Sequence, residues 1–277
     1  MNNKIEYKIA KFKKIVSKYK SSIIAFSGGV DSTCLARLVK EVHTSKLKLI
    51  TVSFSAIPEF EINDSIDLAK EMNINHEIIK VNESMIPGFL DNESDRCYKC
   101  KKYLFSTIQE KAIHGGYEVV FDGTNADDVY DYRPGRLALK ELGVISPLGL
   151  AGLSKSEIRL ISKELRLSTQ SKPSYACLAS RFPYGEIISK DKLDRVNFSE
   201  KDIRNLGFTQ FRVRSHDNLA RLEFLPDDME KAWQLRKQIE GICKSKGFLY
   251  VAFDTVGYRL GAMNEALEEK EISKFKF

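Results

Sequence analysis

Ser27-Gly28-Gly29-Val30-Asp31-Ser32-Thr33 follows directly on the apolar run Ile23-Ile24-Ala25-Phe26. A buried strand that ends in a glycine-rich turn and reopens as a helix aims several backbone N–H groups at one anion, with the positive helix end behind them. Gly28 and Gly29 reach backbone angles closed to other residues and admit a phosphate close to the main chain. Ser27, Ser32 and Thr33 add hydroxyl donors. The loop lacks the Lys-Ser/Thr ending of a Walker sequence, so it carries no cation of its own for a γ-phosphate. Such a loop suits pyrophosphate, and hence an enzyme that splits ATP into AMP and pyrophosphate. The plain alternative is an ordinary strand-to-helix turn.

The 277 residues suffice for one large core or two unequal ones. A hydrophobic fraction of 43% and a charged fraction of 30% are those of a soluble globular chain. The net charge of +6 fits an anionic substrate such as a nucleotide, without arguing for a polynucleotide partner. No apolar run is long enough for a bilayer span, and the first residues do not read as a signal peptide. Together with five cysteines read as reduced thiols, this sets the expectation of a cytoplasmic protein without membrane or nucleic-acid partners.

Along the first half, apolar runs at 22–26, 47–54, 76–81 and 117–121 alternate with helical patterns at 32–42, 61–72 and 103–112. Strands alternating with helices predict a parallel sheet with helices on both faces. A further helix is expected at 154–166, opened by the capping pair Ser154 and Glu157. After Pro173 the pattern changes to a helix at 192–206, strands at 211–214 and 220–224, one long helix over 227–246 and a strand at 248–253. The expectation is an α/β domain over 1–175 and a smaller C-terminal α+β domain over 176–277.

Ligands of parallel sheets sit beyond the carboxyl ends of the strands, which groups the loop at 27–33 with two further segments. Ser53 and Phe54, at the end of the second strand, are candidate contacts to adenine. Asp122-Gly123-Thr124-Asn125-Ala126-Asp127-Asp128 ends the fourth strand, where Gly123 permits close approach and Thr124 and Asn125 offer hydrogen bonds. Asp127 and Asp128 are hard oxygen donors of the kind Mg²⁺ takes beside phosphate, and Asp31 is another; Asp31 and Asp128 are the candidate Mg²⁺ ligands. A cap and turn would use the same string.

Cys97-Tyr98-Lys99-Cys100 precedes the lysine-rich helical pattern, and Cys177 sits in Pro173-Ser174-Tyr175-Ala176-Cys177-Leu178-Ala179-Ser180-Arg181. A C-x-x-C pair serves redox chemistry, half a zinc site or an iron–sulfur group. Three thiolates suit a four-iron cluster with one iron open to an added sulfide. Structural cysteines are the bland reading, and it is the one assigned to Cys34 and Cys243 among apolar helical neighbours.

These strings resemble the LarE family of ATP-dependent sulfur transferases within the PP-loop ATP pyrophosphatases. The resemblance runs from about residue 10 to 267. It is carried by the phosphate loop, the string around Cys177, Leu206-Gly207-Phe208, Arg212-Val213-Arg214, Ala220-Arg221-Leu222-Glu223 and residues 257–265. It implies a PP-loop (adenine nucleotide alpha hydrolase-like) fold and a pyridinium dicarboxylate mononucleotide as substrate. ATP would adenylate a carboxylate, and sulfur would displace AMP, within the synthesis of a nickel-pincer nucleotide for lactate racemase maturation. Cys177 becomes the catalytic cysteine. Cys97, Cys100 and Cys177 match the three-cysteine form of the family, with a 4Fe-4S cluster. Arg181, Glu200, Arg212, Arg214 and Glu223 match the substrate site. Arg212 and Arg214 lie two apart on a strand, so both point to one face and suit a phosphate clamp; a solvated strand face is the alternative. The resemblance also implies a homo-oligomer, a hexamer. Asp217 and Ala262 depart from the family, which has glycine and serine there. A tRNA thiolase and a non-catalytic module binding metal and ATP remain as other readings, and the sulfur donor is left open.

Overall fold

Ile23 and Ile24 are neighbours on one strand, both fully buried, yet they belong to different cores. Successive strand residues face opposite sides of a sheet, so a sheet covered on both faces buries both. The computed structural model describes residues 3–43, 46–129, 134–259 and 261–266. Leu260, part of the C-terminal string, lies outside them.

The sheet consists of β1 (Ser22–Ala25), β2 (Leu47–Ser53), β3 (Asn75–Lys80) and β4 (Val119–Phe121), all parallel in the order β3-β2-β1-β4. Ser22 is level with Leu47 on one side and Val119 on the other. One face carries α1 (Asn3–Val16), α2 (Val30–Val42), α3 (Glu59–Glu71), α6 (Pro147–Ala151) and α7 (Lys155–Glu164), packed on Ile24 and Leu49. The other carries α4 (Arg96–His114) and α5 (Gly135–Glu141), with Phe105, Ile108 and Leu139 against Ile23 and Ile50. Burying each such side chain contributes roughly 1.5–3 kcal/mol. The predicted fold class is therefore observed. The chain leaves β1 toward β2 and β3, then crosses to the other side of β1 for β4. The crevice of the sheet opens at that reversal, beyond the ends of β1 and β4.

The C-terminal part contains α8 (Lys190–Asn205), the antiparallel pair β5 (Phe211–His216) and β6 (Leu219–Phe224), α9 (Met229–Gln234), α10 (Arg236–Ser245) and β7 (Tyr250–Phe253) parallel to β6. Its core draws in Phe54, Ala56, Ile86 and Phe89 from the first part, so the two packing units share a wall.

Two elements differ from expectation. The helix expected at 103–112 begins at Arg96 and continues to His114, so Cys97 and Cys100 lie within its first turns rather than ahead of it. Its opening residues are mostly polar and give no apolar period, but Arg96 is buried and anchors them. The single helix expected over 227–246 is a 3-10 turn (Pro226–Asp228) followed by α9 and α10, broken at Leu235 with φ −90° and ψ 6°. The capping pair at 154–157 forms in both directions: Ser154 Oγ accepts from the Glu157 amide, and the Glu157 carboxylate accepts from the Ser154 amide.

Candidate functional site

The loop after β1 is braced by its own hydroxyls. Ser32 Oγ donates to the Gly29 carbonyl at 3.2 Å and lies 3.1 Å from Ser27 Oγ, while the Gly29 amide reaches Ser27 Oγ at 3.3 Å. Gly28 has φ +67°, and a Cβ there would stand 3.2 Å from the Cα of Ser65 on α3. Glycine is required on both grounds. A Cβ at Gly123 would lie 3.1 Å from the Ser32 amide nitrogen, so the two loops approach backbone to backbone.

Behind the loop, Thr33 Oγ1 and Asp31 Oδ1 are buried without a hydrogen-bond partner. The other carboxylate oxygen of Asp31 is ion-paired with Lys155. Burial raises the Asp31 carboxyl above its ordinary value, against the pull of Lys155. Asp122 is buried and accepts hydroxyl bonds from Thr124 and Ser146. Asn125 Oδ1 accepts from the amides of Asp127 and Asp128 at 2.9 and 3.3 Å, and Asp128 Oδ2 accepts from the Asn125 amide at 3.0 Å. The Gly-Thr-Asn string is thus both a self-capped turn and a wall of the crevice.

A cavity of about 360 Å³ occupies that crevice. Ser27, Gly29, Asp31, Ser32, Gly123, Thr124, Asp128 and Cys177 all line it, which unites residues from three distant segments. Asp127 is exposed and turned toward α7, where Oδ2 accepts the Lys155 amide at 2.8 Å. Ser53 and Phe54 stand outside the lining. The Ser53 carbonyl accepts from Val81, and the Phe54 ring packs edge-on against Phe89 at 5.4 Å. Ile50, Thr51 and Val52 form the wall at that side instead, with Leu104, Phe105 and Ile108 from α4. Apolar walls beside a polar loop match a nucleotide, with base and phosphates separated.

Cys97 is exposed, whereas Cys100 and Cys177 are half-buried. Arg96 stands among them, donating to the Ala179 carbonyl at 3.0 Å, to Asn92, and toward Cys97 Sγ at 3.8 Å. Burial opposes the charge of Arg96, but the sulfurs of Cys97 and Cys177 outweigh it and raise its pKa. Burial, then the charges of Cys177 and Cys97, push the Cys100 thiol up. Cys177 is raised by burial against the opposing effect of Arg96. The three thiols therefore act on one another around one cation. Their chemistry fits an iron–sulfur group, but among the described residues no three His, Cys, Asp or Glu side chains stand in a ready metal-ligand arrangement. Cys34 and Cys243 are buried thiols pushed up to about 12, as inert core residues should be.

Arg181, Glu200, Arg212, Arg214 and Glu223 are buried rather than solvated. Arg181, fully enclosed, forks onto Glu200 with Nε–Oε1 at 2.9 Å and Nη2–Oε2 at 3.0 Å. Glu200 also accepts from Tyr175 Oη at 2.7 Å and the Val213 amide at 3.1 Å. Arg214 pairs with Glu223 at 2.7 Å and donates to the Ser180 carbonyl. Arg212 has no carboxylate partner among the described residues. It donates to the carbonyls of Phe211 and Ser174 and lies over the Tyr258 ring at 4.9 Å. Of the two strand arginines, Arg212 alone forms no ion pair among the described residues, and the charge of Glu200 acts on it only from farther away.

Lys155, Lys172, Tyr175 and Arg96 also belong to the site, and no motif marks them. Tyr175 lies two residues before Cys177 and lines the cavity with it. The two lysines gave no local signal, because their partners lie more than 100 residues away in the chain. No helix among the described residues is long and apolar enough to cross a membrane.

Residues 21–176 match the model of a family described as a family of unknown function (DUF7411). An uncharacterized protein of Synechocystis sp., slr1717, is 42% identical over 267 residues, covering 95% of this chain and 99% of the relative. A pyridinium-3,5-bisthiocarboxylic acid mononucleotide synthase of Lactiplantibacillus plantarum is 30% identical over 253 residues, 91% of this chain and 92% of the relative. A tRNA-specific 2-thiouridylase, MnmA, of Clostridium kluyveri is 25% identical over 232 residues, 68% of this chain and 65% of the relative.

Proposed function

This chain belongs to the DUF7411 family and to the LarE-like group of the PP-loop superfamily, and on that premise we propose that it is an ATP-dependent sulfur transferase. Its substrate is pyridinium-3,5-biscarboxylic acid mononucleotide, and its product the thiocarboxylate used in nickel-pincer nucleotide synthesis. The observation that carries this reading is that Cys177 lines the same cavity as the phosphate loop. A sulfur that must meet an adenylated carbonyl has to stand there.

The chemistry balances in two steps. A carboxylate oxygen attacks the α-phosphorus of ATP, the α–β P–O bond breaks, and pyrophosphate leaves with the bonding electrons. A sulfide-level nucleophile, HS⁻, then attacks the acyl carbon of the mixed anhydride; the C–S bond forms, AMP departs with the C–O electron pair, and loss of the S–H proton leaves the thiocarboxylate. A carboxylate oxygen leaves poorly by itself; AMP is the better leaving group. The Gly29 amide and the hydroxyls of Ser27 and Ser32, all on the cavity wall, bind the departing pyrophosphate. Asp31 and Asp128 would hold Mg²⁺, whose charge would reduce the repulsion between an acidic cavity and a polyanion. Arg212, whose guanidinium donates only to carbonyls and forms no ion pair among the described residues, binds the anionic end of the substrate. Cys97, Cys100 and Cys177 would hold a 4Fe-4S cluster, which supplies iron-bound sulfur when present. The molecule works as a cytoplasmic homo-oligomer.

ATP–pyrophosphate exchange tests the reading. Exchange should depend on the pyridinium dicarboxylate nucleotide, and Cys177→Ala should keep exchange while sulfur transfer falls to background. Exchange that responds to tRNA instead, in line with the thiouridylase relative, would overturn it. Protein purified without oxygen should contain iron and sulfide; a colourless zinc protein would remove the cluster.

A further inference from the structure

We infer that Lys172 is a positioning residue for the phosphate loop: it fixes the peptide plane between Gly28 and Gly29 so that the Gly29 N–H faces the cavity. The inference rests on the nucleotide reading above and adds a residue from outside every motif in the sequence.

Lys172 sits just after a 3-10 turn (Ser168–Ser171), and its backbone is held at both ends. Its amide donates to the Thr169 carbonyl at 3.0 Å, and its carbonyl accepts from Arg159 Nη2 at 3.0 Å. The side chain crosses to the loop, where Nζ donates to Asp64 Oδ2 at 2.7 Å, Glu61 Oε2 at 3.0 Å and the Gly28 carbonyl at 3.3 Å. A lysine ammonium has three N–H groups, and all are committed here. Glu61 and Asp64 are three apart on α3, so they share one helix face and hold the ammonium between them. Ser65, next on that helix, closes the outer side of Gly28.

The consequence follows from the peptide unit. It is planar and, here, trans throughout, so its C=O and N–H point in opposite directions. With the Gly28 carbonyl held by Lys172, the Gly29 N–H points the opposite way, onto Ser27 Oγ, and both Gly29 and Ser27 line the cavity. Neither glycine has a Cβ to resist a flip of that plane. A flipped plane would aim a carbonyl at the phosphate, and the loop would repel what it must bind. Lys172 selects the anion-accepting state without touching the anion.

Calorimetric titration of the full chain with inorganic pyrophosphate and, separately, with adenosine tests this. Lys172→Met should weaken pyrophosphate about tenfold or more while adenosine affinity is kept, and Lys172→Arg should restore most of the loss. Equal pyrophosphate affinity in the wild type and Lys172→Met would overturn the inference, as would an equal fall for both ligands, which marks a merely structural residue. If Lys172→Met does not fold, Asp64→Asn carries the same comparison: a selective loss of about threefold is expected, and no loss overturns it. A wild type that binds no pyrophosphate removes the phosphate-loop reading itself, a result distinct from a variant that binds as well as the wild type.

Discussion

The phosphate loop, open to its cavity, and the Arg181–Glu200 pair, sealed in the core, are both polar, yet they are built in opposite ways. Around the loop, Thr33 Oγ1 and Asp31 Oδ1 are buried with nothing to bond, and the hydroxyl contacts are long, 3.1–3.3 Å. Around Glu200, both oxygens are occupied by a guanidinium fork, a phenol and a backbone amide at 2.7–3.1 Å. Unmade bonds in a buried site cost free energy that a ligand can recover; completed ones stabilise the fold but leave nothing for a ligand. The first region is arranged to receive, the second to hold.

The sharpest test of that contrast is Glu200→Gln, which leaves Arg181 charged and alone in the core. It should lower stability by about 3–5 kcal/mol, read as a fall in the thermal midpoint; a loss within ~1 kcal/mol would show that the pair does not hold the domain. The same residue sets an acid limit. Burial by itself would raise the Glu200 carboxyl, but Arg181 more than offsets it and holds the value down to about 2. A carboxyl depressed in the folded state stabilises fully above its ordinary value and loses that contribution as pH falls through the folded one. Stability should therefore decline from about pH 4.5 toward about 2, and Glu200→Gln should flatten that decline.

Thr33→Val tests the other side. It removes a buried hydroxyl that has no partner, so stability should hold or rise by up to ~1 kcal/mol. A clear loss of stability would mean that the loop is as self-sufficient as the Glu200 pair. The smallest effect is expected at Asp217, whose φ of +50° at the β5–β6 turn accounts for the family's glycine. Asp217→Gly should gain about 0.5–1 kcal/mol, since the side chain is 85% exposed and only 3.6 Å from Lys192 Nζ as a weak surface pair. No gain in chemical denaturation would indicate that aspartate adopts this turn without strain.

Local patterns made much of the site legible. The loop, the Gly123-Thr124 turn and Cys177 were each readable because their chemistry depends on residues adjacent in the chain. Ser53 and Phe54 stand just beyond the cavity: β2 contributes Thr51 and Val52 to its wall, while Phe54 turns into the second core. A run of apolar residues does not say which of them faces a ligand. The early start of α4 was hidden for a related reason, since a polar helical turn buried through one arginine leaves no hydrophobic period.

Alternation of apolar runs, two glycines before a helix and the Ser154 cap were enough to determine a covered parallel sheet with an anion-binding loop, because those features are set by forces between near neighbours. Only the tertiary structure decided that Cys177 would meet that loop, that Arg96 would stand among the thiols, and that a lysine 144 residues away would hold the Gly28 carbonyl. Such contacts depend on how whole elements pack, and charge partners far apart in sequence leave no trace in either one's surroundings until the chain has closed on itself.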